Sequence, residues 1–120
     1  MLAIMSISMA SAQEEVPPAS ELRKALFDLA RPQIEAEADR AVKFKGSMKQ
    51  YEEWVFFSGQ IVDKNDAVIR VGPGESAETA VLWVRRKGKW FVLEAVTGFG
   101  DVIWIDWPEK HGAPKVLFGE

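Results

Sequence analysis

A chain of 120 residues with no cysteine and a formal net charge of −3 is sized for one domain, which buries roughly two thirds of its unfolded surface without covalent staples. The missing thiols exclude a disulfide framework, thiol catalysis and thiolate metal sites. The slightly acidic balance argues against a dedicated nucleic-acid binder.

Residues 1–9 are mostly apolar and uncharged and run into Ala10-Ser11-Ala12. That is the small-x-small pattern signal peptidase reads, so residues 1–12 are expected to be a cleavable signal peptide that leaves Gln13 as the new N-terminus in the periplasm or outside the cell. The apolar run is shorter than the roughly 20 residues that span a bilayer, and no positive region precedes it. Residues 13–19, with Pro17-Pro18, read as an extended linker, and 20–120 as a single domain.

Ser20 is a suitable helix N-cap, with Glu21 in the first turn. Leu22, Ala25, Leu26, Leu29 and Ala30 recur at helical spacing and predict an apolar stripe, with Arg23, Lys24 and Asp28 elsewhere on the wheel. Pro32 removes a backbone donor and predicts a kink, or two short helices, before the pattern ends near Ala38. From Val42 the period becomes two: Val42, Phe44, Gly46 and Met48 point one way, Lys43, Lys45, Ser47 and Lys49 the other. A second strand, Trp54 to Val62, follows a loop of Gln50 to Glu53. That loop length pairs Met48 with Val55, Gly46 with Phe57 and Phe44 with Gly59, setting each glycine against a phenylalanine.

Asp63 to Asp66 is a turn by composition, Ala67 to Val71 a short edge strand, and Gly72 to Ser76 a second turn. Ala80 to Arg86, a tight Lys87-Gly88 connection and Lys89 to Val96 form a hairpin. Its expected registers put Ala80, Leu82, Val84, Phe91, Leu93 and Ala95 on one side. Arg85, Trp90, Trp83, Val92, Val81 and Glu94 take the other. Asp101, Pro108 and Gly112 mark short helical turns, with Trp104, Ile105 and Trp107 tucked against the body and Val116, Leu117 and Phe118 as a tail.

Assembled, these elements predict an α+β fold: one kinked N-terminal helix packed on a four- or five-stranded curved antiparallel sheet, with short C-terminal helical turns. In element order the layout resembles the cystatin-like and nuclear-transport-factor-like folds, an analogy that says little about activity. The run Gly100-Asp101-Val102-Ile103-Trp104-Ile105-Asp106-Trp107-Pro108, followed by Gly112-Ala113-Pro114, resembles the C-terminal end of small uncharacterised exported bacterial proteins, a likeness that implies no activity.

Catalysis needs converging groups, and none is legible. His111 reads as a helix-end cation favoured by the dipole. Glu35, Glu37 and Asp39 read as a solvated patch, Gly72-Pro73-Gly74 as a turn, and Asp101 and Asp106 lack a partner. No metal or cofactor is therefore expected. The positive signal is the sheet's second face, predicted to gather Lys43, Lys45, Lys49, Trp54, Phe56, Trp83, Arg85 and Trp90, a mixture of cations and large aromatics that suits a protein interface.

Two structural alternatives compete with that surface. The C-terminal segment could cover the tryptophans, and the lysines could be edge-protecting charges. The expected function is a non-enzymatic exported binding module of the cell envelope, an inhibitor or immunity protein of an envelope hydrolase. It would have a protein partner there and no nucleic-acid or membrane-inserting role. The alternatives are a small-ligand pocket, possibly enzymatic, between helix and sheet, and glycan or anionic-polymer binding by the same face.

Overall fold

A computed structural model describes residues 13–119, so the predicted signal peptide lies outside the described residues. The order is β1 (Glu14–Glu15), α1 (Glu21–Ala38), β2 (Lys43–Tyr51), β3 (Trp54–Val62), β4 (Glu78–Arg86), β5 (Lys89–Thr97), α2 (Trp107–His111) and a 3-10 turn, Lys115–Phe118. The five strands form one antiparallel sheet in sequence order, and the fold is α+β. No described helix is long and apolar enough to cross a membrane.

Ser20 caps α1 by accepting from the Arg23 N–H at 3.1 Å. The helix ends at Asp39, in the left-handed region with φ 58°, whose N–H returns to Glu35 O. Pro32 faces solvent and does not divide the helix in two. The buried stripe is Arg23, Leu26, Phe27, Ala30 and Ile34. Ala25 and Leu29 are exposed instead, so the expected stripe is rotated about the axis.

The rotation follows from Arg23. Its guanidinium donates to Val16 O at 3.3 Å and Gly46 O at 2.8 Å and lies over the Phe27 ring. A buried cation is tolerated when its donors are satisfied in this way. It also ties down the N-terminal segment: Glu14 and Glu15 pair with Gln50 and Lys49, and Val16 is buried and donates to Met48 O. The stretch read as a linker thus contributes a strand and a core residue.

Along its length α1 bonds to both sides of the sheet, at β5 and at the end of β2 that the two-residue β1 leaves unpaired. On the β2 edge Arg31 donates to Val42 O, and Glu35 accepts from Val42 N. On the β5 edge Gln33 donates to Ala95 O, and Glu37 accepts from Thr97 N at 3.0 Å. Glu35 and Glu37, expected as a solvated patch, therefore answer backbone groups that no further strand reaches.

The β2–β3 connection is two residues, Glu52 and Glu53, with Tyr51 opposite Trp54. This moves the register by two from the expected one: Met48 faces Phe57, Gly46 faces Gly59 and Phe44 faces Ile61. A shift of two keeps every side chain on its predicted face. The reciprocity of large and small becomes diagonal, because the Phe57 ring leans over the glycine pair. A Cβ on Gly59 would lie 2.8 Å from Phe57 Cζ, and one on Gly46 3.1 Å from its Cε1.

The second hairpin lies the other way up from the expectation. Val55 faces Trp83 and Phe57 faces Val81, which sends Val81 and Trp83 under α1 and Ala80, Leu82 and Val84 to the opposite face. Residues 79–84 are all buried, so both faces of β4 are apolar and alternation could not orient it. The Lys87-Gly88 turn is as expected, with both residues at positive φ. Arg85 faces Trp90 and Val84 faces Phe91, but a bulge at Leu82/Trp83 then sets Leu82 against Glu94 and Val81 against Ala95. Residues 67–71 make isolated bridges rather than the expected edge strand.

The space between α1 and the sheet is filled by aromatic rings. Phe27 stacks on Phe44 with centroids 4.3 Å apart and meets Phe57 edge-on at 5.0 Å. The fully buried Trp83 donates from Nε1 to Leu26 O at 2.9 Å. We expect Gly59→Ala to destabilise the protein by about 1–3 kcal/mol through overpacking against Phe57 and the β2 backbone, read by urea unfolding. Ser58→Ala, on the other face, should cost under about 0.5 kcal/mol; equal effects would mean that the glycine pair is not closely packed.

Candidate functional site: the paired hairpin tips

The residues expected to share one surface do not. Trp83 is buried beneath α1, and Trp90 is half-buried on that same face. Trp54 and Phe56 lie on the opposite face and are buried. Lys43, paired with Asp66 at 2.8 Å, and the exposed Lys45 sit at the far end of β2, about 20–26 Å along the strand from its tip. Lys49 is engaged by Glu15 at 3.2 Å.

The second face is covered by the chain that follows β5. Phe56 packs against Trp104 at 5.2 Å, Phe118 at 4.7 Å and Trp107 at 6.2 Å between ring centroids. Trp107 and Leu117 are buried. Pro108 lies in the first turn of α2, and Gly112 ends it at φ 73°, as their positions in the sequence imply. Ile105, expected against the body, is 77% exposed. The C-terminal cover thus roofs Trp54 and Phe56, while α1 roofs Trp83.

Where β5 meets this cover, Glu94 is held by Lys110 and His111. His111 Nε2 lies 2.7 Å and Lys110 Nζ 3.0 Å from Glu94 Oε2. Burial pushes the Glu94 carboxyl up, but the hydrogen bonds from His111 and Lys110 outweigh it and leave the group below the ordinary glutamate value. The site joins α2 to the bulged strand. Among the described residues no three His, Asp or Glu groups converge to hold a metal ion.

What the fold does gather is the end where both hairpins turn. Arg85 N donates to Glu53 O at 2.8 Å, and the Arg85 guanidinium pairs with the Glu53 carboxylate. That hydrogen bond holds the Glu53 carboxyl below its usual range. Arg85 also lies over the Trp90 ring and Arg86 over Trp54, each 5.3 Å from the centroid. Guanidinium stacking of this kind fixes long side chains in place.

Lys87 and Lys89 flank Gly88 and are exposed, and Phe91 is 49% exposed beside them. Four cations in five residues, on a chain of net charge −3, make this end basic and aromatic. Of the expected surface, Trp54, Arg85 and Trp90 are here. Arg86, Lys87, Lys89 and Phe91 were missed, although the run Arg85-Arg86-Lys87-Gly88-Lys89-Trp90-Phe91 carries the signal by itself. The Glu94–His111 contact joins residues 17 apart and had no sequence signature.

No protein-family model, curated protein or solved structure matches the chain.

The Glu94 contacts set a pH dependence. A carboxyl whose value is lowered by folding contributes stability that is complete above its unfolded value, ordinarily 4.5, and is lost as pH falls through the lower folded value. We expect Glu94→Gln to cost roughly 1–2 kcal/mol at pH 7. The gap from wild type in urea unfolding should begin to close below about pH 4.5 and vanish as pH falls through the lower folded value. A gap that does not shrink as pH falls below 4.5 would show that the carboxylate charge is not what His111 and Lys110 recognise.

Proposed function

We propose that the protein is an exported, non-enzymatic binding module of the cell envelope, an inhibitor or immunity protein that occludes a hydrolase acting there. The observation that carries this reading is the hairpin end, where Arg85 and Arg86 stand over Trp90 and Trp54 beside the exposed Phe91. Arginine and large aromatics supply most of the energy at protein interfaces, and two tips tied together by Arg85 and Glu53 are held ready, so little ordering is lost on docking. Ala10-Ser11-Ala12 supports export, and with it a periplasmic or secreted location. We read the order of one helix and five antiparallel strands as a cystatin-like layout, and the GDVxWxxWP-type C-terminal run as a likeness to small exported bacterial proteins.

The small-ligand alternative needs room between helix and sheet, and Phe27, Phe44, Phe57 and Trp83 occupy that space. Recesses remain elsewhere on the surface, among them one of about 150 Å³ beside Lys49 and Phe118. Glycan or anionic-polymer binding draws on the same four cations and differs in its response to salt, since exposed charges are screened within about 10 Å at 0.1 M. A protein interface anchored by Trp90 and Phe91 retains most of its affinity when salt is raised.

In cross-linking with envelope extract, we expect one partner to be captured by the wild type and lost at least tenfold in an Arg86→Glu, Phe91→Ser double variant that unfolds at the wild-type urea midpoint. Capture of the same partner at undiminished yield by the double variant would refute the assignment of this end, and abolition of capture by 0.5 M salt alone would favour the polymer.

A further inference from the structure

The sheet's two sides are unequally protected, the two-residue β1 covering only the Lys49–Gln50 end of β2. On the β2 edge, the outward-facing N–H and C=O groups of Val42 and Met48 and the C=O of Gly46 are taken by Arg31, Glu35, Arg23, Glu15 and Val16. Phe44 and the Gly46 N–H lie between them, a short gap. On the β5 edge α1 reaches only the far half, at Ala95 O and Thr97 N.

Which groups of the near half point outward follows from the register. Arg85 N is bonded toward β3, so the backbone groups of Val84 turn toward β5. Phe91, opposite Val84, answers them, and in an antiparallel ladder the neighbours Trp90 and Val92 then direct their N–H and C=O groups away from the sheet. Among the described residues no side chain bonds to either.

We propose that the Lys89–Val92 stretch of β5 accepts an extended acidic segment of a partner protein as a sixth strand. This rests on the binding-module reading and names the partner's chemistry. Main-chain hydrogen bonds to Trp90 and Val92 supply the register, as in other strand additions. An added strand places alternate side chains on the two faces, beside Arg85 and Trp90 on one and beside Phe91 on the other. Arg86, Lys87 and Lys89 surround the open edge and favour carboxylates, while Arg85 is already paired with Glu53. The same charges oppose a second copy of this chain, because edge-to-edge pairing would bring like charges together across the new ladder.

The test titrates isotopically labelled protein with two blocked seven-residue peptides, one alternating Glu with Val and one alternating Lys with Val, and follows backbone amides by NMR. We expect the acidic peptide to shift the Trp90 and Val92 amides and to slow their hydrogen exchange at least tenfold, while the basic peptide does neither. Trp90→Pro removes an outward N–H and leaves the ladder to β4 intact, so it should weaken binding at least tenfold. Should that variant fail to fold, Lys89→Glu keeps every backbone group and should weaken binding at least threefold.

No response at Trp90 and Val92, an equal response to both peptides, or concentration-dependent self-pairing through β5 would each overturn the proposal. If the peptides fail while the extract partner still cross-links through Arg86 and Phe91, strand addition falls and the binding-module reading stands. If the acidic peptide binds and no extract partner exists, strand addition stands and the inhibitor reading falls.

Discussion

The structure depends on one helix that is bonded to both edges of the sheet it covers. Arg23, Arg31 and Glu35 reach the β2 edge, and Gln33 and Glu37 reach the β5 edge. Each such bond adds only about 0.5–1.5 kcal/mol net, but an edge group buried under a helix and left unpaired would cost about 1–3 kcal/mol. Most of the favourable energy comes from burying the rings between helix and sheet, at about 1.5–3 kcal/mol per large side chain. The polar flanks of α1 decide where those rings can sit, because they fix the position of the helix across the strands. Arg23 extends the same device to the N-terminal segment through Val16 and, at 3.9 Å, Glu15.

A sheet roofed on one face by a single helix leaves its other face to be covered, and β3 and β4 are apolar on both sides. Trp54, Phe56, Leu82 and Val84 need cover, and the segment after β5 supplies it with Trp104, Trp107, Leu117 and Phe118. The two roofs end before the hairpin tips do. There the basic turn and the exposed Phe91 remain, with Arg85 and Arg86 stacked on Trp90 and Trp54 at the margins of the two cores. Function is proposed at this end because it is the part of the molecule where exposed aromatic and cationic groups are fixed in place and not used to hold the fold.

The legibility of the sequence followed from how many faces of each element are polar. β2 alternates lysine with apolar residues, so its faces were readable even though the loop was taken as two residues too long. In β4 the consecutive residues Ala80 to Val84 are all apolar, and no period distinguishes the side that meets α1. Trp83 was therefore assigned outward and lies beneath the helix. The helix stripe was misread for the opposite reason: a charged residue, Arg23, is buried because carbonyls of Val16 and Gly46 receive it, a contact 23 residues distant in the case of Gly46. The turns at Asp63, Gly72 and Lys87 and the breaks at Pro108 and Gly112 were legible, since local chemistry sets them. Of the candidate site, Trp54, Arg85 and Trp90 were named but on the wrong common face, and the basic turn between them was passed over as a connection.

The claim that α1 is bonded to both sides of the sheet is tested most directly by amide hydrogen exchange under native conditions. If it holds, the Val42 and Thr97 amides, which donate to Glu35 and Glu37, exchange at least tenfold more slowly than those of Trp90 and Val92. Exchange of Thr97 as fast as that of Trp90 would contradict it.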